Sequence, residues 1–330
     1  MHEIGPRRVV VLDTGYDSYA GEREAAAGVG ATLEVFDGDM HDREGRIAFA
    51  QGACAMYVRW TVVDADFLDA APTVKAVLRY GVGYDNVDLE AASARGVRVS
   101  NVQGYANHSV SDHALALILA CVRGLRIGMG IDQVRSNYFV APRPDLPEIK
   151  DMSLGIVGLG RIGGTLCAKV QGLFKRILAC DPYIVAERFT SLGAVACGLP
   201  TLLAESDVVS IHCNLTEETR RMFNADALAH MPPTAVLVNT ARGPIVDEDA
   251  LLEALKAHRL FAAGLDVFCD EPPSGNRDEL LAHPHVVPTG HYAWFSTAAS
   301  QELQRRAAEN MAAMLRGESP EDCLNAEAFR

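Results

Sequence analysis

The chain has 330 residues, of which 49% are hydrophobic and 22% are charged. This length predicts about two domains, and this composition excludes disordered and low-complexity proteins. Its 30 lysines and arginines against 43 aspartates and glutamates give a net charge of −13. That balance argues against nucleic acid or an anionic membrane as a partner, because both require clustered positive charge.

The eight cysteines lie singly along the chain, without the spacing of a zinc site or a disulfide framework. We therefore expect free thiols in a reducing cytoplasm and no bound metal. No apolar run approaches the roughly 20 residues that a membrane helix needs. A soluble, cytoplasmic protein is the expectation.

Short β-branched runs alternate with alanine-rich segments in the first hundred residues, and this alternation is typical of a parallel sheet covered by helices. A largely apolar, buried helix is predicted over Ser109–Arg123, followed by a proline-rich loop or arm from Arg135 to Asp151. The predicted strands of this first series are Val9–Leu12, Leu33–Phe36, Cys54–Val58, Val74–Leu78 and Val97–Val99.

A second alternating series follows the arm, and one amphipathic helix over Ser296–Leu315 comes after it. The two series predict an α/β fold of two Rossmann/flavodoxin-like, doubly wound parallel-sheet domains with a cleft between them. The strands predicted in the second series are Leu154–Val157, Ile177–Cys180, Val208–His212, Ala235–Asn239, Ala262–Val267 and His285–Val287.

The segment LGIVGLGRIGG, residues 154–164, places a G-x-G-x-x-G pattern between a predicted strand and a predicted helix. Gly158 permits the tight turn, Gly160 lets a pyrophosphate approach the backbone, and Gly163 lets the helix pack on the strand. The helix N-terminus then offers unpaired N–H groups to phosphate. The pattern predicts a dinucleotide site, with a purely structural glycine turn as the alternative.

The next predicted strand is followed by Asp181, 21 residues after Gly160. A carboxylate at this place bonds the ribose hydroxyls of the cofactor and repels a 2′-phosphate. The nearest following cation, Arg188, is seven residues further on. The sequence therefore favours NAD(H) over NADP(H).

Arg242, Glu271 and His291 each follow a later predicted strand, where a parallel sheet places its ligands. A guanidinium binds a carboxylate in a fork and polarises a neighbouring carbonyl. An imidazole exchanges a proton near neutrality, and a carboxylate bonded to it orients the ring. These residue types suit carbonyl reduction. Taken singly, each has another reading, as a helix-cap partner, a solvated loop charge or a core histidine.

Four motifs in this order resemble the D-isomer-specific 2-hydroxyacid dehydrogenase family: Gly158–Gly163, Asn239–Glu248, Leu265–Pro272 and His291–Trp294. The resemblance covers nearly the whole chain. It implies that Arg242 binds a keto acid, that His291 is the acid/base, and that Glu271 pairs with His291. It also implies NAD(H)-dependent hydride transfer giving an (R)-2-hydroxy acid.

The resemblance further implies which residues contact the cofactor. Arg161 and Ile162 would lie on the pyrophosphate, Val110 near the nicotinamide ribose, and Asp266 on the nicotinamide carboxamide. Cys213 and Thr240 are also expected at the cofactor. Two departures from the family pattern are Gly290 and Gln103, each at a position where proline is usual.

The substrate residues are expected in the first domain and beside the acid/base. Arg79–Leu89, with Val82 and Gly83, resembles the loop whose backbone N–H groups hold the substrate carboxylate. Arg59 lies in a stretch that resembles the phosphate-binding segment of 3-phosphoglycerate dehydrogenases, and if Arg59 and Arg79 both face the cleft, the substrate carries a second anionic group. Surface salt bridges are the alternative for both arginines. Candidate substrates are phosphonopyruvate and 3-phosphohydroxypyruvate, otherwise glyoxylate and hydroxypyruvate.

Trp294 is one of two tryptophans. With the residues around it, it most resembles the C-terminal-binding-protein-like branch, where it would line the substrate pocket; core packing is the alternative. That branch supplies a second hypothesis, an NAD(H)-sensing, corepressor-like interaction protein. The expected domains are residues 1–102 plus 293–330 for substrate and 103–292 for NAD. A homodimer built with residues 123–150 is expected.

Overall fold

The structure, a computed structural model, describes residues 7–39, 41–136 and 147–329. The chain divides into unit 1, Met1–Tyr105 with Ser296–Arg330, and unit 2, Ala106–Phe295. Each division lies three residues beyond the domain boundary expected from the sequence. The arm predicted over residues 135–151 falls largely on residues 137–146, which lie outside the described residues, so its part in a homodimer stays a prediction.

The described residues contain twelve strands. Eleven of them overlap a strand predicted from the sequence, usually within one or two residues at each end. The strands are β1 Arg7–Val11, β2 Ala31–Val35, β3 Ala55–Val58, β4 Ala76–Arg79, β5 Arg98–Ser100, β6 Ser153–Val157, β7 Arg176–Cys180, β8 Val195–Ala196, β9 Val208–Ile211, β10 Val236–Asn239, β11 Ala262–Leu265 and β12 Val286–Pro288.

The helices of the described residues lie between the strands, with short 3₁₀ turns at residues 149–151, 243–245, 275–277 and 326–329. The helices are α1 Ala20–Gly28, α2 Arg43–Ala50, α3 Ala65–Ala70, α4 Leu89–Ala94, α5 Asn107–Val122, α6 Leu125–Gly128, α7 Ile131–Ser136, α8 Arg161–Lys169, α9 Ala186–Ser191, α10 Leu199–Glu205, α11 Ala225–Ala229, α12 Glu248–Lys256, α13 Asp278–Ala282 and α14 Thr297–Leu315.

Unit 1 is built on a five-stranded parallel sheet in the order β2-β1-β3-β4-β5. All four residues of β3 are buried, as expected for a parallel strand covered on both faces. Helix α14, from the end of the chain, packs against α1 and β4 of the same unit. The predicted doubly wound fold is confirmed for this unit.

Unit 2 is built on a seven-stranded parallel sheet in the order β12-β11-β10-β9-β6-β7-β8. Alternate residues of β6 point into two separate apolar cores, with Ile156 in one and Val157 in the other. The predicted doubly wound sheet is therefore confirmed here too. The strand missed from the sequence, β8, is only two residues long, and both of its residues are exposed.

The register brings the carboxyl ends of six strands of unit 2 to one edge. Val157 pairs with Cys180 and Ile211, Asn239 pairs with Ile211 and Leu265, and Leu265 pairs with Pro288. The strand order reverses between β6 and β9, which makes this edge a topological switch point. Ligands bind at such an edge in open α/β sheets, so this edge is the expected site of unit 2.

Local sequence explains where many helices begin. Side-chain oxygens accept the N–H three residues on at the start of six helices, and the capping residues are Asp42, Asp64, Asp88, Asn224, Asp247 and Ser296. Such caps satisfy backbone donors that a helix leaves unpaired. Helix α8 is not among these six, because its N-cap residue is Gly160, which has no side chain to accept a hydrogen bond.

Candidate active site

The glycine turn joins β6 to α8 at the switch point of unit 2. Gly158 has a φ of +90°, and a Cβ there would lie 2.6 Å from the backbone nitrogen of Cys213. A side chain at this position is therefore excluded by both conformation and space. The turn runs against the loop after β9, as a tight dinucleotide turn requires.

Gly160 lies on the open side of this turn. A Cβ built on it would meet nothing within 4 Å. The helix that starts here, Arg161–Lys169, presents its N-terminal N–H groups without a capping side chain. Open space at the N-terminus of this helix fits a pyrophosphate, which needs close backbone approach and the positive end of a helix. Arg161 is exposed and Ile162 half-buried on the same first turn.

Asp181 lies directly after β7 and binds the glycine turn. Its Oδ2 accepts the N–H of Leu159 at 2.8 Å, and its Oδ1 accepts the N–H of Tyr183 at 3.0 Å. These bonds hold the carboxylate at the carboxyl edge, two strands from β9. A carboxylate at this place can accept hydrogen bonds from the ribose hydroxyls of the cofactor, and its negative charge repels a 2′-phosphate on that ribose.

A second polar pair at this end of the sheet was missed from the sequence. The hydroxyl of Tyr183 donates to Glu218 Oε2 at 2.6 Å, joining the segment after β7 to the loop after β9. This hydrogen bond raises the pKa of Tyr183. Tyr183 is 80% exposed. The only hint in the sequence is that Tyr183 stands two residues after Asp181.

The other predicted cofactor residues of unit 2 lie as follows. Thr240, just after β10, is buried, and its Oγ1 has no hydrogen-bond partner among the described residues. A buried hydroxyl without a partner fits a ligand group that completes it. Cys213 is half-buried against the glycine turn, and burial raises the pKa of its thiol to about 11. Val110 is buried in the first turn of α5.

The turn after β10 presents Arg242. Asn239, buried at the end of β10, accepts the N–H of Ala241 at 3.0 Å and donates to the carbonyl of Arg242 at 2.8 Å. The guanidinium of Arg242 donates to the carbonyl of Ala241 at 2.8 Å. The sequence assigned no role to Asn239, although its short amide suits a tight side-chain-to-backbone turn.

Glu271 and His291 form the central pair. His291 Nδ1 donates to Glu271 Oε2 at 2.6 Å, and Glu271 Oε1 accepts the N–H of Phe268 at 3.1 Å. Burial raises the pKa of Glu271, but the bond to His291 and the charges of His291 and Arg242 outweigh it, so the pKa is lowered overall. The carboxylate therefore stays charged and directs the Nε2 of His291 away from itself.

His291 has a φ of +54°, a left-handed conformation that non-glycine residues rarely adopt. Its N–H donates to the backbone carbonyl of Asp266 at 2.7 Å. Strain of this kind is kept only where surrounding contacts impose it. The preceding Gly290 meets nothing at its Cβ position, so the contacts that fix His291 come from elsewhere.

Asp266 is 1% exposed and supplies those contacts. Its Oδ1 accepts the hydroxyl of Thr289 at 2.6 Å and the N–H of Tyr292 at 3.2 Å, and its Oδ2 accepts the N–H of Ala293 at 3.0 Å. The carboxylate is thus directed toward the loop that carries His291. The carboxamide contact expected from the resemblance stays a prediction.

The predicted substrate arginines lie at the carboxyl edge of the unit 1 sheet. Arg79 ends β4 in register with Val58, and Arg59 follows Val58 directly. The buried carboxylate of Asp13 accepts the N–H groups of Arg59, Trp60 and Thr61 at 2.6–3.0 Å. Adjacent parallel strands thus bring both arginines to one edge of the sheet.

The guanidinium of Arg59 lies 4.9 Å from the ring centroid of Trp60 and 5.7 Å from that of Tyr16. The guanidinium of Arg79 donates to the carbonyl of Tyr80 at 2.8 Å. Burial raises the pKa of Tyr16 well above its usual range, and the charge of Arg59 opposes that rise. Cationic groups held this way by aromatic rings are suited to an anion.

The remaining predicted substrate residues are Val82 and Gly83 in unit 1 and Trp294 in unit 2. Val82 and Gly83 are half-buried, and the carbonyl of Val82 accepts the side chain of Asn101 at 2.5 Å. Trp294 is half-buried with its ring edge-on to Phe295, the centroids 5.5 Å apart.

Within residues 7–39, 41–136 and 147–329 no helix is long and apolar enough to cross a membrane. Over the same ranges, no group of three or more histidine, cysteine, aspartate or glutamate side chains is placed to hold a metal ion.

The chain is 37% identical over 306 residues to D-3-phosphoglycerate dehydrogenase from Mycobacterium leprae (strain TN), a match that covers 92% of this chain and 57% of that protein. It is 39% identical over 272 residues to glyoxylate reductase from Korarchaeum cryptofilum (strain OPF8), covering 81% of each. The chain therefore spans little more than half the length of the phosphoglycerate dehydrogenase.

Among solved structures, the TT0316 protein from Thermus thermophilus is similar with a TM-score of 0.83 and 33% identity, covering 96% of this chain and 99% of that one. Residues 115–293 match the family described as D-isomer specific 2-hydroxyacid dehydrogenase, NAD binding domain. NAD(H) is accordingly the cofactor of unit 2, where the glycine turn and Asp181 fit it. The chain belongs to the D-isomer-specific 2-hydroxyacid dehydrogenase family.

Proposed function

We propose that this protein is an NAD(H)-dependent oxidoreductase that interconverts a 2-keto acid and a D-2-hydroxy acid. The observation that carries the proposal is the 2.6 Å hydrogen bond between His291 Nδ1 and Glu271 Oε2. It lies at the same sheet edge as Arg242 and the glycine turn. The names of the two relatives, a phosphoglycerate dehydrogenase and a glyoxylate reductase, agree with this class of activity.

Each of the three side chains has a distinct task in this proposal. Glu271 holds Nδ1 of His291, so Nε2 is the atom that gives or takes the proton of the substrate oxygen. Arg242 binds the carboxylate of the keto acid and polarises the adjacent carbonyl. Asn239 keeps the turn of Arg242 in place through its two backbone bonds.

NADH, when bound, supplies the hydride that adds to the keto carbon. The proton on His291 Nε2 passes to the keto oxygen, so the carbonyl becomes a hydroxyl and His291 is left neutral. Arg242 stabilises the charge that develops on that oxygen during the transfer. The product of the reduction is the (R)-2-hydroxy acid.

We further propose that the substrate carries a second anionic group, which Arg59 and Arg79 bind. The support is their common place at the carboxyl edge of the unit 1 sheet, with Asp13 holding the backbone of Arg59. A phosphate or phosphonate accepts paired guanidinium bonds especially well. The proposed substrates are 3-phosphohydroxypyruvate and phosphonopyruvate, ahead of glyoxylate and hydroxypyruvate.

The test is the rate of NADH oxidation with these four 2-keto acids. We expect turnover with all four and the highest kcat/KM with the two that carry a second anion. His291→Ala is expected to lower kcat by a factor of about 10² to 10⁴, since general acid–base catalysis contributes that much, while NADH binding survives. His108→Ala, at an exposed position on α5, is the matched control.

Two results would overturn the proposal in different ways. Equal kcat/KM for glyoxylate and 3-phosphohydroxypyruvate would remove the second-anion specificity and leave the dehydrogenase. NADH binding without turnover of any keto acid would contradict the proposed enzymatic activity and support the NAD(H)-sensing interaction protein instead.

We also propose that the protein acts as a cytoplasmic homodimer, as the family resemblance implies. Sedimentation equilibrium of the full chain measures the oligomeric state, and a mass of one chain at micromolar concentration would contradict this.

A further inference from the structure

A chain of three polar side chains, half-buried His113 and Thr289 and fully buried Asp266, lies beneath the loop of His291. His113, on α5, places Nε2 2.9 Å from Thr289 Oγ1, and Thr289 Oγ1 lies 2.6 Å from Asp266 Oδ1. His113 Nε2 is also 3.6 Å from the same oxygen of Asp266. These contacts join groups other than the catalytic pair, so the chain is a separate structural feature.

The direction of the hydrogen bonds follows from their chemistry. An ionised carboxylate only accepts, so Thr289 gives its single hydroxyl proton to Asp266. Thr289 Oγ1 is then left as an acceptor, and His113 Nε2 must donate to it. With an ionised Asp266, these two hydrogen bonds predict a proton on Nε2 of His113, whatever the state of Nδ1.

Asp266 also binds the backbone of the loop that carries His291. Its carboxylate accepts the N–H groups of Tyr292 and Ala293, and its backbone carbonyl accepts that of His291. Three consecutive residues, 291–293, are therefore tied to one aspartate. These hydrogen bonds hold the left-handed backbone of His291, from which its imidazole reaches Glu271.

His113 also packs on this loop from the side. Its ring meets that of Tyr292 edge-on, with the centroids 5.1 Å apart. Its side chain is 17% exposed, and it is a polar residue on a helix whose neighbours at 110, 114, 117, 118 and 121 are buried and apolar. An apolar residue would fill this place on the helix but donate nothing to Thr289.

We propose that His113 is a positioning residue for His291, acting through Thr289 and Asp266. This inference rests on the proposed function, since it concerns the aim of the imidazole that transfers the proton. Small displacements of a reacting group cost much of its rate. Loss of the donor at 113 releases the Thr289 hydroxyl and loosens the carboxylate that ties down residues 291–293.

The kinetic experiment compares His113→Leu with His113→Gln in the full chain. Leucine keeps the apolar bulk without a donor, whereas the glutamine amide restores an N–H toward Thr289. We expect kcat to fall about tenfold in His113→Leu and to recover most of that loss in His113→Gln, with NADH affinity by fluorescence unchanged in both. His108→Gln, exposed on the same helix, is the matched control and keeps wild-type kcat.

Equal kcat in wild type and His113→Leu would overturn the inference. So would an equal loss in the leucine and glutamine variants accompanied by an equal fall in melting temperature, because that pattern reports packing alone.

A second readout is independent of turnover. In ¹⁵N-histidine NMR of the wild type, the signals missing from His113→Gln identify His113, and we expect its Nε2 to be protonated. We also expect the ring resonances of His291 to shift in His113→Leu. A neutral His113 with its proton on Nδ1, or unshifted His291 resonances, would overturn the positioning role. If the wild type reduces no keto acid, the proposed function fails, and these resonances alone decide the inference.

Discussion

One carboxylate of Glu271 serves two partners, with Oε2 accepting His291 Nδ1 at 2.6 Å and Oε1 accepting the N–H of Phe268 at 3.1 Å. The second bond fixes the carboxylate to the backbone, so the imidazole is aimed from a rigid support. Because the net shift lowers the pKa of Glu271, the carboxylate remains charged at pH values where a free glutamate begins to protonate. Its stabilising contribution is complete above the unfolded pKa and is lost as pH falls through the lowered folded value.

Glu271→Gln keeps the size of the side chain, but it removes the charge beside His291 and leaves one acceptor oxygen where the carboxylate has two. We expect kcat to fall by about 10²-fold, since the imidazole loses the group that stabilises its protonated form. Steady-state kinetics with the best keto acid measures this. Asp270→Asn changes an exposed neighbouring acid and should leave kcat unchanged. A wild-type kcat in Glu271→Gln would contradict the role given to the pair.

Gly160→Ala separates cofactor binding from folding. The added methyl group meets no protein atom within 4 Å, so the melting temperature should fall much less than in a variant whose new Cβ meets the backbone. NADH affinity should fall about tenfold or more, because the methyl group takes the space of the pyrophosphate. Calorimetric titration with NADH gives the comparison. Unchanged NADH affinity would place the cofactor elsewhere.

Gly158→Ala is the complementary variant. Its φ of +90° is unfavourable for alanine, and the new Cβ would lie 2.6 Å from the backbone nitrogen of Cys213. We therefore expect a lower melting temperature even in the absence of NADH.

Asp181→Asn should relax the discrimination against NADPH. The amide keeps an oxygen for the N–H of Leu159, but the charge that repels a 2′-phosphate is gone. We expect the ratio of NADPH to NADH dissociation constants to fall about tenfold, measured by fluorescence titration. Asp278→Asn, which neutralises an exposed acid of α13, controls for net charge. An unchanged ratio would contradict the role of Asp181 and leave Glu218, which Tyr183 binds at the same end of the sheet, as the charge that repels the phosphate.

Arg59→Gln tests the second-anion proposal. We expect KM for 3-phosphohydroxypyruvate to rise about tenfold, because a charge-assisted bond to the phosphate is lost, while KM for glyoxylate stays near its wild-type value. Arg23→Gln, an arginine of α1 that bonds the carbonyl of Leu33, is the matched control. Equal changes in KM for both substrates would show that Arg59 does not bind the second anionic group.

His212 predicts an acid limit to stability. His212 directly follows β9, its Nε2 lies 2.8 Å from Oγ of Ser210 in that strand, and burial lowers its pKa from 6.5 to about 4. The unfolded chain therefore binds this proton before the folded chain does. Stability is complete above about pH 6.5 and falls as pH drops toward 4, by up to about 3 kcal/mol.

Thermal unfolding at neutral pH and at about pH 5 measures this loss. His212→Gln should reduce the difference between the two midpoints, whereas His41→Gln, at an exposed position, should preserve it. The same difference in all three proteins would show that other groups cause the acid sensitivity.

The sequence by itself determined the two parallel sheets and the chemistry-bearing residue types. Buried parallel strands appear as short β-branched runs, and the turn residues Gly158 and Gly160 are required by backbone geometry that few other residues satisfy. Arg242, Glu271 and His291 could be singled out because each follows a strand and each has a chemistry that carbonyl reduction needs.

Tertiary structure decided which groups support them. His113 lies on a helix 178 residues before His291, and nothing in its local pattern says that it bonds Thr289 or that Asp266 ties residues 291–293 together. The Tyr183–Glu218 bond likewise joins two loops 35 residues apart. Such contacts depend on the distance between strand ends and on the direction of each side chain. A hydrogen bond exists only when both are met, and neither is written in the order of residues.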